Sequence, residues 1–320
     1  MNLSFRSYTS GDEETYIHVW NKGYKTCSWF AKHGPTTINR AKKEIEENKK
    51  DPTYQLIFAL SDKKPIGFIE TKMQDERTGE ILHYNPCVIP EHWQKNAASA
   101  LVEAAVKHLR KSGAQKVKFS IMGRTPDTAP YLALYQARNF TIQRKAVSMT
   151  AKLDTIPEPK THLPLKLSTL RQLNSDAFVD LFIRCFKDSK DRDASQIASN
   201  TEKTKQFIQQ LRQREGEEHD PDGWIAASLE DKLVGFVVAI QERDSGLIAE
   251  IGVDPQHRRK GIGAFLTTKG LQRLKERGFN QAFLGVDLGN TEAISMYEKL
   301  GFQKLPWEMY ELEAVMHQTS

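Results

Sequence analysis

Hydrophobic residues in the last third of the chain switch between two spacings. The run LVGFVVAI, residues 233 to 240, is apolar without interruption, and GWIAASL before it is nearly so. Glu230, Asp231 and Lys232 lie between them, so two buried strands joined by a turn are expected. GLIAEIGV, residues 246 to 253, predicts a third strand. A helical pattern then runs to about Arg277, where Gly278 supplies the stop. QAFLGVDL predicts a strand. NTEAISMYEKL predicts a helix capped by Asn290 and ended by Gly301, and WEMYELEA predicts a closing strand. Upstream, residues 165 to 169 predict a strand, and SDAFVDLFIRCF and residues near 200 to 214 predict helices. Strands and helices mix, which predicts an α/β (mixed α+β) fold: a mixed, mostly antiparallel sheet flanked by helices.

The pattern occurs twice. At an offset of 165 residues, VIPEHWQKNAASALVEAAVKHLRKSGAQ (88 to 115) lies on VDPQHRRKGIGAFLTTKGLQRLKERGFN (253 to 280) without a gap. Val88, Pro90, His92, Lys95, Leu101, Leu109 and Gly113 match Val253, Pro255, His257, Lys260, Leu266, Leu274 and Gly278. LIFALSDKKPIGFIE resembles WIAASLEDKLVGFVV, and YLALYQARNF resembles AISMYEKLGF. The matches fall on the strand end, the turn, the helix face and the helix stop, which define a fold, so one domain is present in two copies. DTIPEPKTHLP, with three prolines, reads as the connection. The expected organisation is a first domain over 1–153, a linker over 154–164 and a second domain over 165–320. Four of the differences fall on the loop: Gly261 matches Asn96, Gly263 matches Ala98, Arg258 matches Trp93 and Arg259 matches Gln94. The first copy keeps packing residues and lacks the glycines and arginines, so it reads as degenerate.

Composition narrows the function. The chain is 39% hydrophobic and 27% charged, with a formal net charge of +5. That is a mild bias toward anionic ligands, without the dense basic stripe of a dedicated nucleic-acid binder. INRAKKEIEENKK, residues 38 to 50, mixes signs like a solvated helix face. No apolar run is long enough to span a bilayer, and the start lacks a targeting core. Cys27, Cys87 and Cys185 are odd in number and far apart, which predicts reduced thiols in a cytoplasmic protein and no metal site. Nucleic acid and membrane are therefore not expected partners. Monomer and homodimer both remain open.

HRRKGIGAFL, residues 257 to 266, places positive charge and two glycines at a helix start. The first turn of a helix has amide protons with no internal acceptor, and the helix dipole favours an anion there. Glycine lets main chain approach closely because it has no Cβ. A diphosphate thus fits Arg259, Lys260, Gly261, Ile262, Gly263 and Ala264, with Arg258, Arg259 and Lys260 adding attraction. The segment lacks the spacing of a Walker loop, and its glycines come too late in the domain for a dinucleotide fingerprint.

VDPQHRRKGIGAFL resembles the acetyl-CoA loop of the GCN5-related N-acetyltransferases, [RQ]-x-x-G-x-[GA], filled by Arg258, Gly261 and Gly263, after a strand ending in V-x-P at Val253 and Pro255. Asn290, Ala293, Tyr297, Gly301 and Phe302 fill the family's later pattern N-x-x-A-x-x-x-Y-x-x-x-G-F. The copies together resemble tandem members of that family. The resemblance implies an acetyl-CoA-dependent transfer of an acetyl group to a primary amine, on a small molecule or a protein, by direct attack in a ternary complex. It implies that the strand before the loop splays from its neighbour, so that Ile251 and Val253 offer main chain to the cofactor arm. It maps Tyr297 to the acid for the departing thiolate and Asn290 to a contact with the arm. Tyr297 also sits at apolar helical spacing with Ile294 and Leu300, and Asn290 suits plain capping. Glu250 is a candidate base, as is Asp287. His257 is not, because His92 matches it in the copy without the loop. A non-catalytic acyl-CoA sensor or interaction module is the alternative function.

Overall fold

Short apolar runs punctuated by turns give strands, and longer amphipathic runs give helices. In the computed structural model the described residues are all but 1, 2, 26, 28–34, 83, 94, 95, 159, 160, 170–174, 190, 216–219, 243 and 317–320. The first half runs β1 (Leu3–Ser7), α1 (Glu13–Gly23), α2 (Ile38–Asn48), β2 (Gln55–Ser61), β3 (Lys64–Met73), β4 (Thr78–Ile81), β5 (Cys87–Val88), the one-turn α3 (Pro90–Trp93), α4 (Ala97–Lys111), β6 (Lys116–Gly123), α5 (Thr125–Gln136) and β7 (Thr141–Lys152). The second half runs β8 (Lys166–Thr169), α6 (Ser175–Phe186), α7 (Arg192–Ala198), α8 (Thr201–Glu215), β9 (Trp224–Leu229), β10 (Lys232–Glu242), β11 (Ser245–Val253), α9 (Ile262–Glu276), β12 (Gln281–Asp287), α10 (Thr291–Lys299) and β13 (Gln303–Val315). The mixed α/β reading holds. The short α7, over RDASQIA, has no counterpart among the expected elements.

The two compact units do not follow the expected borders. One comprises Met1–Lys145 with Pro306–Ser320, the other Ala146–Leu305. The reason is an exchange of terminal strands. In the first unit β1, β2, β3, β4 and β6 pair in that order, and the next strand is Glu308–Val315 of β13, antiparallel to β6. In the second unit β8, β9, β10, β11 and β12 pair in order, and the next strand is Ala146–Lys152 of β7, antiparallel to β12. The orders are the same, and in each the parallel pair is the fourth with the fifth. The closing strand expected to finish the second copy instead completes the first.

Each sheet has helices on both faces, as two apolar faces require. In the first unit α4 and α5 cover one face, where Leu101, Val102, Leu109 and Tyr135 meet Tyr310, Leu312 and Ala314 of β13. On the other face α1 and α2 bury Tyr16, Val19 and Ile45 against Phe58 and Phe68. In the second unit α9 and α10 bury Leu266, Leu271 and Ile294 against Val237, Leu284 and Val147 and Met149 of β7. Phe178 and Phe182 of α6 and Leu211 of α8 pack on Trp224 and Phe236 on the opposite face. Both copies place a glycine on the third strand where strand and helix close on it. A Cβ at Gly67 would lie 2.9 Å from the Cys87 carbonyl and 3.0 Å from Leu101, and one at Gly235 would lie 3.0 Å from the Gly252 carbonyl and from Leu266.

The first unit buries an acid. Glu70, on β3, is 5% exposed. Its carboxylate accepts from the Tyr54 hydroxyl at 2.5 Å and the Asn85 amide at 3.4 Å. Burial pushes it up to about 7, helped by the Glu44 carboxylate and opposed by those two hydrogen bonds.

Two outcomes follow. A polypeptide of residues 165–320 lacks Val147, Met149 and Leu153, each worth about 1.5–3 kcal/mol when buried, and leaves 308–315 without β6. That loss is comparable with the roughly 5–15 kcal/mol that holds a domain together. Circular dichroism and size exclusion should find it unfolded or aggregated, and a cooperative, monodisperse fold would contradict the exchange. Second, an acid with a higher pKa folded than unfolded keeps its proton in the native state, so stability is greatest below the unfolded value near 4.5 and falls as pH rises through about 7. Glu70→Gln should remove that part of the decline in melting temperature, whereas parallel pH profiles for variant and parent would contradict the burial argument.

Candidate functional site

The site begins where two strands part. β11 pairs with β10 along its length to Val253. With β12 it pairs only at Gly246–Leu247 opposite Ala282–Phe283. The β10 register shifts between Val238 and Ala239, and Ala249 is the extra residue on β11. Such a bulge bends its strand and raises the local twist. Beyond Leu247 the edge of β11 facing β12 therefore has no ladder. The Asp254 amide donates to the Val234 carbonyl at 2.9 Å. Peptide groups alternate sides along an antiparallel strand, so those of Ile251 and Val253 turn away from β10 toward the gap. This is the splay that the loop motif implied.

The loop after β11 is built by capping and ion pairs. Asp254 accepts from the Gln256 amide at 3.1 Å, and its carbonyl accepts from the His257 amide at 2.8 Å. Burial works against the Asp254 carboxylate, but the Arg184 guanidinium and the Gln256 amide outweigh it and hold its pKa below the ordinary value. His257 packs against Asp254, with Nδ1 3.8 Å from the carboxylate. His92 makes the same turn bond, from its amide to the Ile89 carbonyl at 2.9 Å. Both histidines are turn residues.

Arg258 departs from the expectation. Its guanidinium donates from Nη2 to the Cys185 carbonyl at 2.8 Å and from Nε to the Val253 carbonyl at 3.2 Å. Two of its five N–H groups are used within the protein, because the end of α6 lies beside the loop, 73 residues away in sequence. Arg259 is exposed and pairs with exposed Glu292 at 3.1 Å. Lys260 is exposed.

Gly261 is the N-cap of α9, at φ 80°. A left-handed cap suits glycine, and nothing lies within 4 Å of the place a Cβ would take. No side chain caps this helix, whereas Thr37 caps α2 and Asn290 caps α10. Phe265 is the residue whose amide bonds back to the Gly261 carbonyl, at 3.0 Å. Ile262, Gly263 and Ala264 thus present first-turn amides with no intrahelical acceptor.

Tyr297 of α10 is buried and edge-on to Phe302 at 5.7 Å. Burial raises its pKa well above the usual phenol value, and the Glu250 carboxylate raises it further. The fold therefore brings Tyr297 and Glu250 into electrostatic contact. Asn290 accepts from the Ala293 amide at 3.2 Å, which leaves its NH2 group outside the cap. Asp287 accepts from the Gly289 amide at 2.7 Å and serves the turn into α10. Burial pushes the Cys185 thiol up to about 12, with the Asp254 carboxylate adding to the shift. A thiol in that state is no nucleophile at neutral pH.

The matching residues of the first unit make other contacts. Trp93, where Arg258 stands in the second copy, packs edge-on against Tyr131 at 5.1 Å. Tyr135 matches Tyr297, and its hydroxyl donates to the Asn85 carbonyl at 2.8 Å. The Tyr24 hydroxyl donates to the Tyr84 carbonyl at 2.7 Å. Asn96 keeps the left-handed cap at φ 65°, and α4 also begins without a side-chain cap. Sequence reasoning missed the role of Arg184, which donates to Asp254 at 3.0 Å and to the Leu233 carbonyl at 2.8 Å. Its only signal was a cation at the end of a helix. Among the described residues no cluster of three His, Cys, Asp or Glu could hold a metal, and no helix is long and apolar enough to cross a membrane.

The acetyltransferase (GNAT) family model matches residues 16–140 and 176–302. The mycothiol acetyltransferase of Catenulispora acidiphila is 28% identical over 236 residues, covering 70% of each chain. That of Nocardiopsis dassonvillei is 26% identical over 266 residues, covering 77% of each. Among solved structures, a GCN5-related N-acetyltransferase from Sphaerobacter thermophilus superposes with a TM-score of 0.66 at 16% identity, covering 98% of this chain and 95% of its own. A tandem GNAT protein from the clavulanic acid biosynthesis pathway gives 0.60 at 15% identity over the whole of both chains. These two likenesses speak for the fold.

The open amides set a prediction. Gly263→Asp places a carboxylate in the first turn of α9, where it suits the helix dipole but competes with any bound anion. A Cβ there meets the flexible Met296 sulfur at 3.2 Å, so the fold should adjust. Calorimetry should show coenzyme A affinity at least about thirtyfold weaker, given the worth of charged hydrogen bonds, with the melting temperature little changed. Unaltered affinity would mean that these amides hold no phosphate.

Proposed function

The chain belongs to the acetyltransferase (GNAT) family, and from that premise we propose that its second unit, Ala146–Leu305, moves the acetyl group of acetyl-CoA to a primary amine by direct attack in a ternary complex. Acetyl-CoA-dependent N-acetyl transfer is the family's reaction. The assignment to the second copy and the residue roles are the proposal. The observation that carries it is the uncapped start of α9 behind a left-handed glycine, at the mouth of the gap between β11 and β12.

The cosubstrate's chemistry fits what the residues offer. Amides from Arg259 to Ala264 face the diphosphate, and Arg259 and Lys260 supply charge beside it. The Ile251 and Val253 amides are free to pair with the pantetheine arm. The Val253 carbonyl already accepts from Arg258 and keeps one lone pair for the arm. The NH2 group of Asn290 reaches the arm while its oxygen caps α10.

Attack on a thioester needs a neutral amine, and a lysine-like amine has a pKa near 10.4 in water. Glu250 is the group to take that proton, directly or through water. The leaving thiolate needs one in return. Tyr297 is fully protonated at neutral pH because burial and Glu250 both disfavour its anion. The shift keeps the proton on Tyr297 until a thiolate is there to take it, and makes the phenol a weaker acid. With Cys185 held as a neutral thiol, no acyl-enzyme is expected.

The first copy is inactive on this reading. Trp93 and Tyr131 pack where Arg258 and Ala293 stand in the second, and its matching tyrosine is tied to a carbonyl. The acceptor amine belongs to the face covered by α6 and α8.

The test is release of coenzyme A thiol from acetyl-CoA across a panel of amines. Release should occur with an acceptor, and kinetics should show a ternary complex. Tyr297→Phe should lower kcat by roughly a hundredfold, as loss of a general acid does, with affinity for acetyl-CoA held. Tight binding without release under any acceptor would point to a sensor, and ping-pong kinetics with an acetylated cysteine would overturn the direct mechanism.

A further inference from the structure

The end of α6 and the loop before α9 exchange arginines. Arg184, near the last turn of α6, reaches across to the loop and bonds the Asp254 carboxylate at 3.0 Å and the Leu233 carbonyl at 2.8 Å. Arg258, in the loop, reaches back and bonds the Cys185 carbonyl at 2.8 Å and the Val253 carbonyl at 3.2 Å. Cys185 is the next-to-last residue of α6, so its carbonyl is one of four that a helix end leaves without an internal donor. It also lies at the negative end of the helix dipole, where a cation is favoured. Arg258 is therefore a cap supplied from another element.

Both partners of each bond bear on the reaction. Asp254 shapes the turn through the Gln256 and His257 amides. The Val253 carbonyl lies on the open edge of β11. On the helix side, the contact is close: a Cβ at Gly252 would lie 2.9 Å from the Cys185 Cβ and 2.5 Å from Phe236. Helix end and the end of β11, just before the loop, touch with nothing between them. The first copy has no such bond from the matching position, because Trp93 turns to Tyr131 instead.

We propose that Arg258 and Arg184 are a pair of positioning residues that lock the C-terminal turn of α6 to the loop before α9, so that an anion bonded by the loop also orders the helix that covers the acceptor face. Arginine suits this because its planar fork serves two acceptors at fixed angles, whereas lysine is a single point charge on a flexible stem. The inference rests on the proposed binding of coenzyme A at the loop, and its test separates the two.

Hydrogen exchange of the intact protein, with and without coenzyme A, reads the coupling. In the parent, coenzyme A should slow exchange both at residues 262–266 and in the last turn of α6, residues 182–186. Arg258→Lys keeps the charge and loses the fork. It should weaken coenzyme A about tenfold, keep the parent's dependence of affinity on salt, and abolish the protection of 182–186 while leaving that of 262–266. Arg184→Lys should do the same. Arg259→Ala serves as the contrast: it should flatten the salt dependence and leave α6 protected. If both lysine variants protect α6 as the parent does, or if Arg258→Lys keeps full affinity, the positioning role is wrong and the binding site stands. If the parent shows no protection at 262–266, the binding site itself is wrong and the coupling goes with it.

Discussion

Two parallel strands that pair for only two residues govern the second unit. A strand edge without a ladder leaves peptide groups that must find partners, and β11 presents such an edge from Ile248 to Val253. The bulge at Ala249 accompanies the parting, and Gly252 lets α6 and Phe236 close on the strand's covered face. The loop and the uncapped start of α9 then lie directly after the open edge. Main chain of two kinds, strand and helix start, is left available at one place in the fold, and an extended ligand with an anionic end can use both.

Around that opening the protein is tightly determined. The first copy keeps the same scaffold with other residues at the matching places. Its third-strand glycine, its left-handed helix cap and its closing glycine turn at Gly113 remain, matching Gly235, Gly261 and Gly278. Its Trp93 packs on Tyr131, and its Tyr135 hydroxyl donates to the Asn85 carbonyl. Retention of such a copy has a structural reason: β13 completes its sheet, and β7 from its own end completes the other. Each copy needs the other's last strand, so neither can be shed without exposing a sheet edge and emptying part of a core.

Local features were legible in the sequence because their causes are local. The helix over Ile262–Glu276 begins after Gly261 and stops at Gly278 for reasons of φ and capping that the residues announce. The strand runs near 224–242 are apolar enough to need two covered faces. Partner choice was not legible. β7 and β13 alternate buried and exposed residues in the same way whichever strand lies beside them, so alternation cannot reveal an exchange. Arg258 makes the same point for a single side chain. A cation beside a phosphate-type loop suggests an electrostatic role, but its acceptor is a main-chain carbonyl of another element, which has no residue-type signal. The seven residues of α7 were too few to show a period.

Tyr297 is kept protonated by the same packing that gives it an apolar spacing. The central claim is that the amides at the start of α9 hold a diphosphate and thereby set the thioester toward Tyr297. A crystal structure with bound coenzyme A tests it most directly. Phosphate oxygens within hydrogen-bond distance of the amides between Gly261 and Ala264, with the arm along Ile251 and Val253, is the predicted result. Coenzyme A seated at Asn96–Ser99 in the first copy, with the α9 amides unbound, would contradict it.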